Sequence, residues 1–419
     1  MTYARTRLLA GSTAFAAVAL TGCGLLPGAD EDTRTVTVWL MKDSVSDEFL
    51  ARFTEEFEKE HDSIELDIEI QEWTGIGEKV TAALRSDEAP DLIEVGNTQV
   101  AQYAEGDGLR DLSAESVREL GSKDWLPGLA DPGSINGRQF GIPWYAANRV
   151  VIYNKDLFEE AGIAKPPVTR DQWLTDTAAL NSADTQGIYL AGQDWYTLAG
   201  FVWDEGGELA EETGGDWEGA LHTTAALKGM DFYQRLQALG SGPKGADEAT
   251  PPQADVFAEG DVAQIVSIPG AAKIIEQRNP ELRGKLGYFP IPGKSEARPG
   301  AVLAGGSDLI VPEKSDAQDA AVEVVKALAG EKWQTELSRA MSYVPNKTTL
   351  ANVVEGQEGT AAMAAGAAQG RTPPNSPRWA AVEADNPIKI YMTQALTGDD
   401  PAGAARAASE EITRMLAAR

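Results

Sequence analysis

The chain has 419 residues, which predicts two lobes at roughly 100–200 residues per domain. It carries 65 Asp and Glu against 36 Lys and Arg, a formal net charge of −29, and this acidity without a basic block excludes a nucleic-acid partner, whose phosphates require clustered cations. Two isolated histidines and one cysteine provide neither a metal-binding cluster nor an internal disulfide, so we predict no metal and no cofactor.

The first predicted element is an export signal. Two arginines precede an uncharged apolar run, residues 8–20, and small residues follow it, which is the order of a secretory signal. The run is well short of the ~20 residues that a transmembrane helix requires. It ends in the letters LTGC, which resemble the bacterial lipobox, so we predict a signal peptide over 1–22, lipidation of Cys23 and a tether over 23–34. This predicts a lipid anchor at the extracellular face of the cell membrane; the alternative is an inert cysteine behind an ordinary signal.

Strands and helices then alternate. Residues 35–40 and 64–70 alternate in polarity as strands do, residues 45–61 and 76–84 show helical spacing of apolar side chains, and 91–96 is a short buried strand. This order predicts a parallel sheet covered by helices. Because ligands bind beyond the carboxyl ends of such strands, we expect a site at the segments that follow them. Those segments are 41–44, 71–74 and 96–99.

A second lobe is predicted to begin near Tyr145, where a strand passes into helices. Further strands, punctuated by Gly and Pro, are predicted within 256–270, 286–293 and 301–312. Helices are predicted over 315–329, 331–340, 360–370, 388–396 and 402–417. The pattern as a whole is that of an α/β protein.

Several segments in a fixed order carry a family resemblance: VTVWLM, GRQFGIPWYAANRVVIYNKDLFEEAGI, FAEGDVAQIVSIPG and GGSDLIVPEKSDAQDAAVEVVKALAGEKWQ. They resemble the bacterial extracellular solute-binding proteins of the maltose-binding-protein-like family, which are receptors of sugar ABC importers. The resemblance implies a two-lobed periplasmic-binding-protein-like fold, each lobe a mainly parallel sheet with flanking helices. It implies chain crossings near 145, 301–305 and 343–346. The implied lobes are 35–145 with 303–342, and 146–302 with 343–419.

The same resemblance implies a mechanism and partners. The lobes would close around a solute by a hinge motion, and the permease of an ABC transporter would recognise the closed form. The protein would be a monomer, not an enzyme, and would meet the membrane only through its lipid anchor.

Sugars present apolar ring faces and hydroxyl edges, so their sites combine aromatics with polar side chains. Placed on the implied cleft, the candidate aromatics are Trp73, Trp144, Tyr145, Trp195, Tyr196 and Trp379. The candidate polar side chains are Lys42, Asp43, Asn97, Thr98, Asn148 and Arg149. Core packing is the alternative for the aromatics, and helix capping is the alternative for the groups that follow strands. Gly306 and Ser307 bring backbone N–H groups to a ligand or serve as a flexible hinge.

One departure concerns residues 268–272. Many relatives have a tryptophan here in a Gly-x-Trp motif, whereas this chain reads IPGAA, so one expected stacking platform is missing. The segments EVGNTQVAQYA, PWYAANRVVIY and PPNSPRWAAVE look most like receptors for N-acetylglucosamine or chitobiose. Receptors for maltose, cellobiose or xylo-oligosaccharides stay open as alternatives. A secreted glycoside hydrolase is a further alternative, although it needs two carboxylates at a defined separation, which composition does not indicate.

Overall fold

The computed structural model describes residues 33–42, 44–73 and 75–417. The predicted signal peptide, Cys23 and the candidate Asp43 lie outside the described residues. Within these ranges no helix combines the length and apolar character needed to cross a membrane.

The described chain contains both strands and helices throughout. The strands are β1 (Arg34–Met41), β2 (Ile64–Gln71), β3 (Leu92–Gly96), β4 (Ser134–Ile135), β5 (Arg138–Gln139), β6 (Gly141–Ala146), β7 (Val150–Asn154), β8 (Ala210–Thr213), β9 (Asp216–Gly219), β10 (Gln264–Ser267), β11 (Leu286–Pro290), β12 (Val302–Leu303), β13 (Gly306–Ile310), β14 (Val344–Pro345) and β15 (Gly370–Arg371). The α-helices are α1 (Asp47–Glu60), α2 (Ile76–Arg85), α3 (Val100–Ala104), α4 (Ser113–Arg118), α5 (Pro127–Ala130), α6 (Lys155–Glu160), α7 (Arg170–Leu180), α8 (Trp195–Asp204), α9 (Thr224–Gln237), α10 (Gln253–Ala258), α11 (Ala271–Arg278), α12 (Gln318–Leu328), α13 (Glu331–Met341), α14 (Glu358–Ala367), α15 (Trp379–Asp385), α16 (Pro387–Thr397) and α17 (Pro401–Ala417).

The first lobe is built on a six-stranded sheet in the order β14-β6-β13-β3-β1-β2. Strand β1 pairs in parallel with β2 over eight residues and with β3 on its other side. Strand β13 runs antiparallel to both β3 and β6. It enters this lobe at the edge where β3 ends, so it has to run in the opposite direction. The first sheet is therefore mixed, with its parallel part at β1, β2 and β3.

The second lobe contains a three-stranded sheet in which β7 pairs antiparallel with β10 and β11. The two-lobed α/β fold is confirmed, but the expectation of a mainly parallel sheet does not hold here. Strand β14 also lies in the first sheet, paired with β6. The first sheet thus includes residues 344 and 345, which the predicted boundaries gave to the second lobe.

Local sequence explains how helices begin and which face they bury. Helix α1 starts after Ser46, whose hydroxyl accepts a hydrogen bond from the Phe49 backbone N–H at 3.2 Å. Its apolar face presents Phe49, Phe53 and Phe57 to the first core, where Trp333 of α13 packs edge-on against two of these rings. Burying aromatic rings of this size contributes roughly 1.5–3 kcal/mol each.

The second core forms under helices α7, α8, α9, α16 and α17. Helix α7 begins with a capping box between Thr169 and Gln172. Its Trp173 is fully buried, and the indole N–H donates to Gln264 of β10 at 2.9 Å. The amide of Gln264 in turn donates to Thr177 at 2.8 Å. These buried hydrogen bonds fix α7 on the second sheet.

Strand β13 carries a buried acid, Asp308, whose two carboxyl oxygens have no hydrogen-bond partner among the described residues. Gly141 leaves space for it, because a Cβ there would lie 2.5 Å from an Asp308 carboxyl oxygen. Burial raises the pKa of Asp308 well above its ordinary value. The carboxyl group is therefore neutral over a range of pH in which an unfolded chain would ionise it.

This acid predicts a pH dependence of stability. The folded pKa lies above the unfolded one, so the contribution of Asp308 to stability is fully present below the unfolded pKa and is lost as pH rises toward the folded pKa. In Asp308→Asn, we expect the free energy of unfolding to fall less between about pH 5 and about pH 8 than in the wild type. Urea unfolding at several pH values tests this. Parallel pH profiles for the two proteins would contradict it.

Candidate functional site

Four strands of the first sheet end at one edge, the edge at which the chain crosses to the second lobe. Strands β1, β2 and β3 run in parallel, and β6 runs with them because β13, between β3 and β6, is antiparallel to both. The polar segments that follow β1, β2 and β3 therefore lie together, as the sequence predicted. The first two crossings, between β6 and β7 and between β12 and β13, attach at the same edge.

The segment after β3 faces the second lobe. The Asn97 side-chain amide donates to the backbone oxygen of Ala304, in the second crossing, at 3.0 Å. The Thr98 hydroxyl donates to Oε2 of Glu383, on α15, at 3.0 Å. Neither side chain caps the short 3-10 helix that starts here, because the cap residue is Gly96. Asn97 and Thr98 are instead hydrogen-bonded across the region between the lobes.

Glu383 is a functional candidate that the sequence reasoning missed. Its other oxygen, Oε1, accepts a hydrogen bond from the indole N–H of Trp379 at 2.8 Å. Burial raises the pKa of Glu383 to about 7, while the hydrogen bonds from Trp379 and Thr98 act in the opposite direction. The spacing of Trp379 and Glu383, four residues apart on one helix face, is the signal that could have identified this pair.

A second polar cluster surrounds Arg149, which follows the first crossing. Its guanidinium donates to Glu248 at 2.5 Å, and its Nε lies 3.5 Å from Asp194. The same guanidinium lies over the ring of Tyr196, 3.9 Å from the ring centroid. Glu248 is another residue that the sequence reasoning did not identify, and burial raises the pKa of its carboxyl despite the neighbouring Arg149.

The Asp194 carboxylate fixes this cluster to the start of α8. It accepts from the Thr197 backbone N–H at 3.1 Å and from the Thr197 hydroxyl at 2.6 Å, so it is the N-cap of the helix. Tyr196, in the first turn, is half-buried, and its ring lies against Trp195 at a centroid distance of 4.4 Å. The structure therefore brings Arg149 and Tyr196 together, with two carboxylates holding the arginine.

The side chains of Tyr145, a predicted ligand contact, and Ser307, predicted to offer its backbone N–H, belong to a buried network around Glu94 of β3. Tyr145 donates to Glu94 Oε1 at 2.8 Å, and Ser307 donates to the same oxygen at 2.6 Å. The backbone N–H of Met41 donates to Glu94 Oε2 at 2.8 Å. Tyr145 also stacks on Tyr343. These contacts give both side chains a structural role, and contact of either residue with a ligand stays a prediction.

Three predicted stacking tryptophans are buried. Trp144 is 0 % exposed in the first core, and Trp195 and Trp379 are 2 % and 1 % exposed in the second core. Their ring faces pack against protein in this structure, and their contact with a sugar stays a prediction. Core packing, the alternative for these rings, is what the structure shows, since a tryptophan ring near a cleft also fills the core beneath it.

Two predicted side chains are exposed after the strands. Trp73, following β2, is 42 % exposed, and Lys42, following β1, pairs with Glu72 at 2.9 Å on the surface. Both lie where the sequence analysis expected them, and their contact with a ligand stays a prediction.

The last two candidates lie at the crossings. The Asn148 amide donates to the backbone oxygen of Met363 at 3.1 Å, which attaches the first crossing to α14. Gly306 has φ +154°, and a Cβ there would lie 2.1 Å from the backbone oxygen of Tyr145. A glycine is required at this position because β13 and β6 approach each other closely.

The space beside Arg149 and Tyr196 is small. A cavity of about 10 Å³ lies there, bounded on its other side by Ile291 and the segment 301–303. This is room for one water molecule, not for a sugar ring.

Comparisons with known proteins agree with this arrangement. The family described as bacterial extracellular solute-binding protein matches residues 42–335. The diacetylchitobiose binding protein DasA of Streptomyces coelicolor is 38% identical over 385 residues, which cover 91% of this chain and 90% of DasA. A mannitol-binding protein of Pseudomonas aeruginosa is 26% identical over 326 residues, covering 73% of this chain and 70% of that protein.

Solved structures show the same fold. The sugar-binding protein MalE of Xanthomonas citri superposes with a TM-score of 0.80 at 22% identity, covering 92% of this chain and 98% of MalE. The GacH receptor of Streptomyces glaucescens also reaches a TM-score of 0.80 at 22% identity, covering 91% of this chain and 98% of GacH.

Proposed function

Because the chain belongs to the family of bacterial extracellular solute-binding proteins, we propose that it is the carbohydrate receptor of an ABC importer. It captures an amino sugar, N-acetylglucosamine or chitobiose, between its lobes and delivers it to the permease. The observation that carries this proposal is the 38% identity to a diacetylchitobiose binding protein over 91% of the chain. The cleft supports it, because an acetamido sugar needs donors, acceptors and an aromatic surface in one place.

The groups that we propose for contact with the sugar come from both lobes and from the segments that follow β1, β2 and β3. Arg149 and Tyr196 lie on the second lobe, and Asn97 lies in the first-lobe segment after β3, next to Thr98, whose hydroxyl donates to Glu383. Lys42, Asp43 and Trp73 follow the neighbouring strands and complete the proposed set. Closure brings the two groups of residues together, so binding and hinge motion are coupled.

Calorimetric titration with chitobiose, N-acetylglucosamine, maltose, cellobiose and xylobiose tests the function. We expect binding to one of the first two at micromolar affinity or better, about −8 kcal/mol. Tight binding of maltose, cellobiose or xylobiose instead would still make the protein a sugar receptor, but with a different sugar as its ligand. If none of the five sugars binds, the sugar-receptor proposal is overturned.

The same samples separate a receptor from a hydrolase. The protein is incubated with labelled chitobiose, and the sugar is then recovered and separated by size. We expect the disaccharide to be recovered intact, since the family and the relatives named above are binding proteins. Time-dependent release of monosaccharide would support the hydrolase alternative.

We further propose that the protein is held at the membrane through a lipid on Cys23. The support is the LTGC sequence behind an apolar run. Acyl chains contribute about 0.8 kcal/mol per buried methylene. Metabolic labelling with palmitate and fractionation of a Cys23→Ala variant test this: we expect loss of label and release from the membrane. Retention of Cys23→Ala in the membrane fraction would contradict the anchor.

A further inference from the structure

The Glu383 carboxylate uses its two oxygens toward two different lobes. Oε1 accepts from Trp379 on its own helix at 2.8 Å, and Oε2 accepts from Thr98 of the first lobe at 3.0 Å. Helix α15 belongs to the second lobe, because Trp379 and Val382 pack in its core. The carboxylate therefore joins the lobes through a side-chain hydrogen bond.

Trp379 fixes the orientation of this carboxylate. Its ring is 1 % exposed and packed in the second core, so the indole N–H has a constant position and direction. With Oε1 held there, the second oxygen is directed out of the second lobe toward the segment after β3. The buried tryptophan acts on the cleft through Glu383 and not through its own ring face.

The hydrogen bond from Thr98 to Glu383 has to break when the lobes separate. Thr98 is half-buried and supplies one hydroxyl donor, whereas its neighbour Asn97 is bonded to the crossing at Ala304. Hinge opening in a two-lobed binding protein moves the lobes apart. Because Thr98 and Glu383 belong to different lobes, opening breaks their hydrogen bond. An oriented acceptor oxygen is then left in the open cleft.

We propose that Glu383, oriented by Trp379, is the acceptor that Thr98 occupies in the empty protein and that a hydroxyl or amide N–H of the solute takes over on binding. This rests on the proposed function, which supplies a solute rich in such donors. Trp379 is a positioning residue, and Thr98 is a competitor for the site. In the empty protein, the bond between Thr98 and Glu383 stabilises a closed form that cannot bind the solute. Removing the Thr98 hydroxyl should therefore not weaken binding, whereas removing the Glu383 carboxylate should weaken it.

The test compares Thr98→Val with Glu383→Gln, with Thr98→Ser as the matched control that keeps the hydroxyl. Small-angle X-ray scattering of the sugar-free proteins measures the separation of the lobes. We expect Thr98→Val to have a larger radius of gyration than the wild type, and Thr98→Ser to match it. Glu383→Gln keeps an oxygen that accepts from Trp379, and its amide NH2 can donate to the Thr98 hydroxyl, so we expect its radius of gyration to match the wild type.

Titration with chitobiose then separates the two roles. We expect Thr98→Val to bind at least as tightly as the wild type, because the competitor is gone. We expect Glu383→Gln to bind about 10-fold more weakly or worse, because it loses a charged acceptor. Trp379→Phe, which keeps a buried ring but has no N–H, should weaken binding in the same direction as Glu383→Gln.

Other outcomes overturn the inference. Equal losses of affinity in Thr98→Val and Glu383→Gln would mean that Thr98 itself contacts the sugar, and wild-type affinity in Glu383→Gln would mean that the carboxylate does not. If the wild type binds no sugar, the proposed function fails, but the scattering still tests whether the bond between Thr98 and Glu383 holds the lobes together. An unchanged radius of gyration in Thr98→Val would then overturn the inference. A larger radius in Thr98→Val, with a wild-type radius in Thr98→Ser, would support it.

Discussion

Replacing Arg170 by Met is expected to lower the free energy of unfolding by about 3–5 kcal/mol. Arg170 begins α7, and its side chain is 6 % exposed. Its guanidinium donates to Asp204 at 2.8 Å and to Glu205 at 3.1 Å, both at the end of α8. Without the arginine, these carboxylates lose their buried partner, which is the source of the expected cost.

The choice of Met separates charge from packing. The guanidinium lies over the rings of Phe201 and Phe232, at 4.8 and 4.7 Å from their centroids, and a Met side chain keeps much of that apolar contact. Asp204 also accepts from the Ala301 backbone N–H at 2.9 Å. Losing the arginine therefore also weakens the attachment of the segment that leads to the second crossing. Chemical unfolding of both proteins measures the difference.

A surface pair provides the control for Arg170. Arg414 pairs with Glu411 within α17 and is exposed, so Arg414→Ala should leave the unfolding midpoint unchanged. If Arg170→Met were as stable as Arg414→Ala, the buried ion cluster would have no net role in stability.

The second large effect is expected for Glu94→Ala, which should lower the free energy of unfolding by roughly 2–5 kcal/mol. Glu94 is 0 % exposed and accepts from Tyr145, Ser307 and the Met41 backbone. Tyr145 and Ser307 lie 3.0 Å apart and can still bond to each other, but the Met41 N–H loses the carboxylate acceptor. The truncated side chain adds a cavity, which increases the cost.

Glu94→Gln is the matched variant, because it keeps the volume and one acceptor oxygen. Burial raises the pKa of Glu94, so the wild-type protein loses the contribution of this group as pH rises toward the folded pKa. We therefore expect Glu94→Gln to be less destabilised than Glu94→Ala. As pH rises, the free energy of unfolding of Glu94→Gln should increase relative to that of the wild type. Unfolding curves at several pH values provide the comparison. Equal stability of the wild type and Glu94→Ala would contradict the proposed role of the network.

Much of the fold could be predicted from local sequence. The alternating strands before and after α1, and the three phenylalanines on that helix, follow directly from hydrophobic spacing, and the structure contains those elements. Sheet direction could not be predicted in the same way. Strands β13 and β14 return from the other lobe, and their antiparallel pairing depends on where the crossings attach rather than on their own residues.

The candidate site was predictable by segment and less so by side chain. The segments after β1, β2 and β3 lie at one edge of the sheet as expected, because strand ends are visible in the sequence, and their contact with a solute stays a prediction. Burial is not visible there: Trp144, Trp195 and Trp379 look alike as cleft aromatics and are all core residues. Glu383 was missed because its spacing of four residues from Trp379 is common on helices, and the contact with Thr98 of the first lobe is not visible in the sequence.

The position of β13 in the first sheet has a consequence for how the chain acquires its structure. Ser307 of this strand and its partner Glu94 are 213 positions apart in sequence, and β13 separates β3 from β6. A ribosome that has completed only the first half of the chain has therefore made β3 and β6 without the strand that joins them. Such long-range pairing slows folding. A nascent chain of this topology therefore stays unfolded for longer than one whose strands pair with neighbours in sequence.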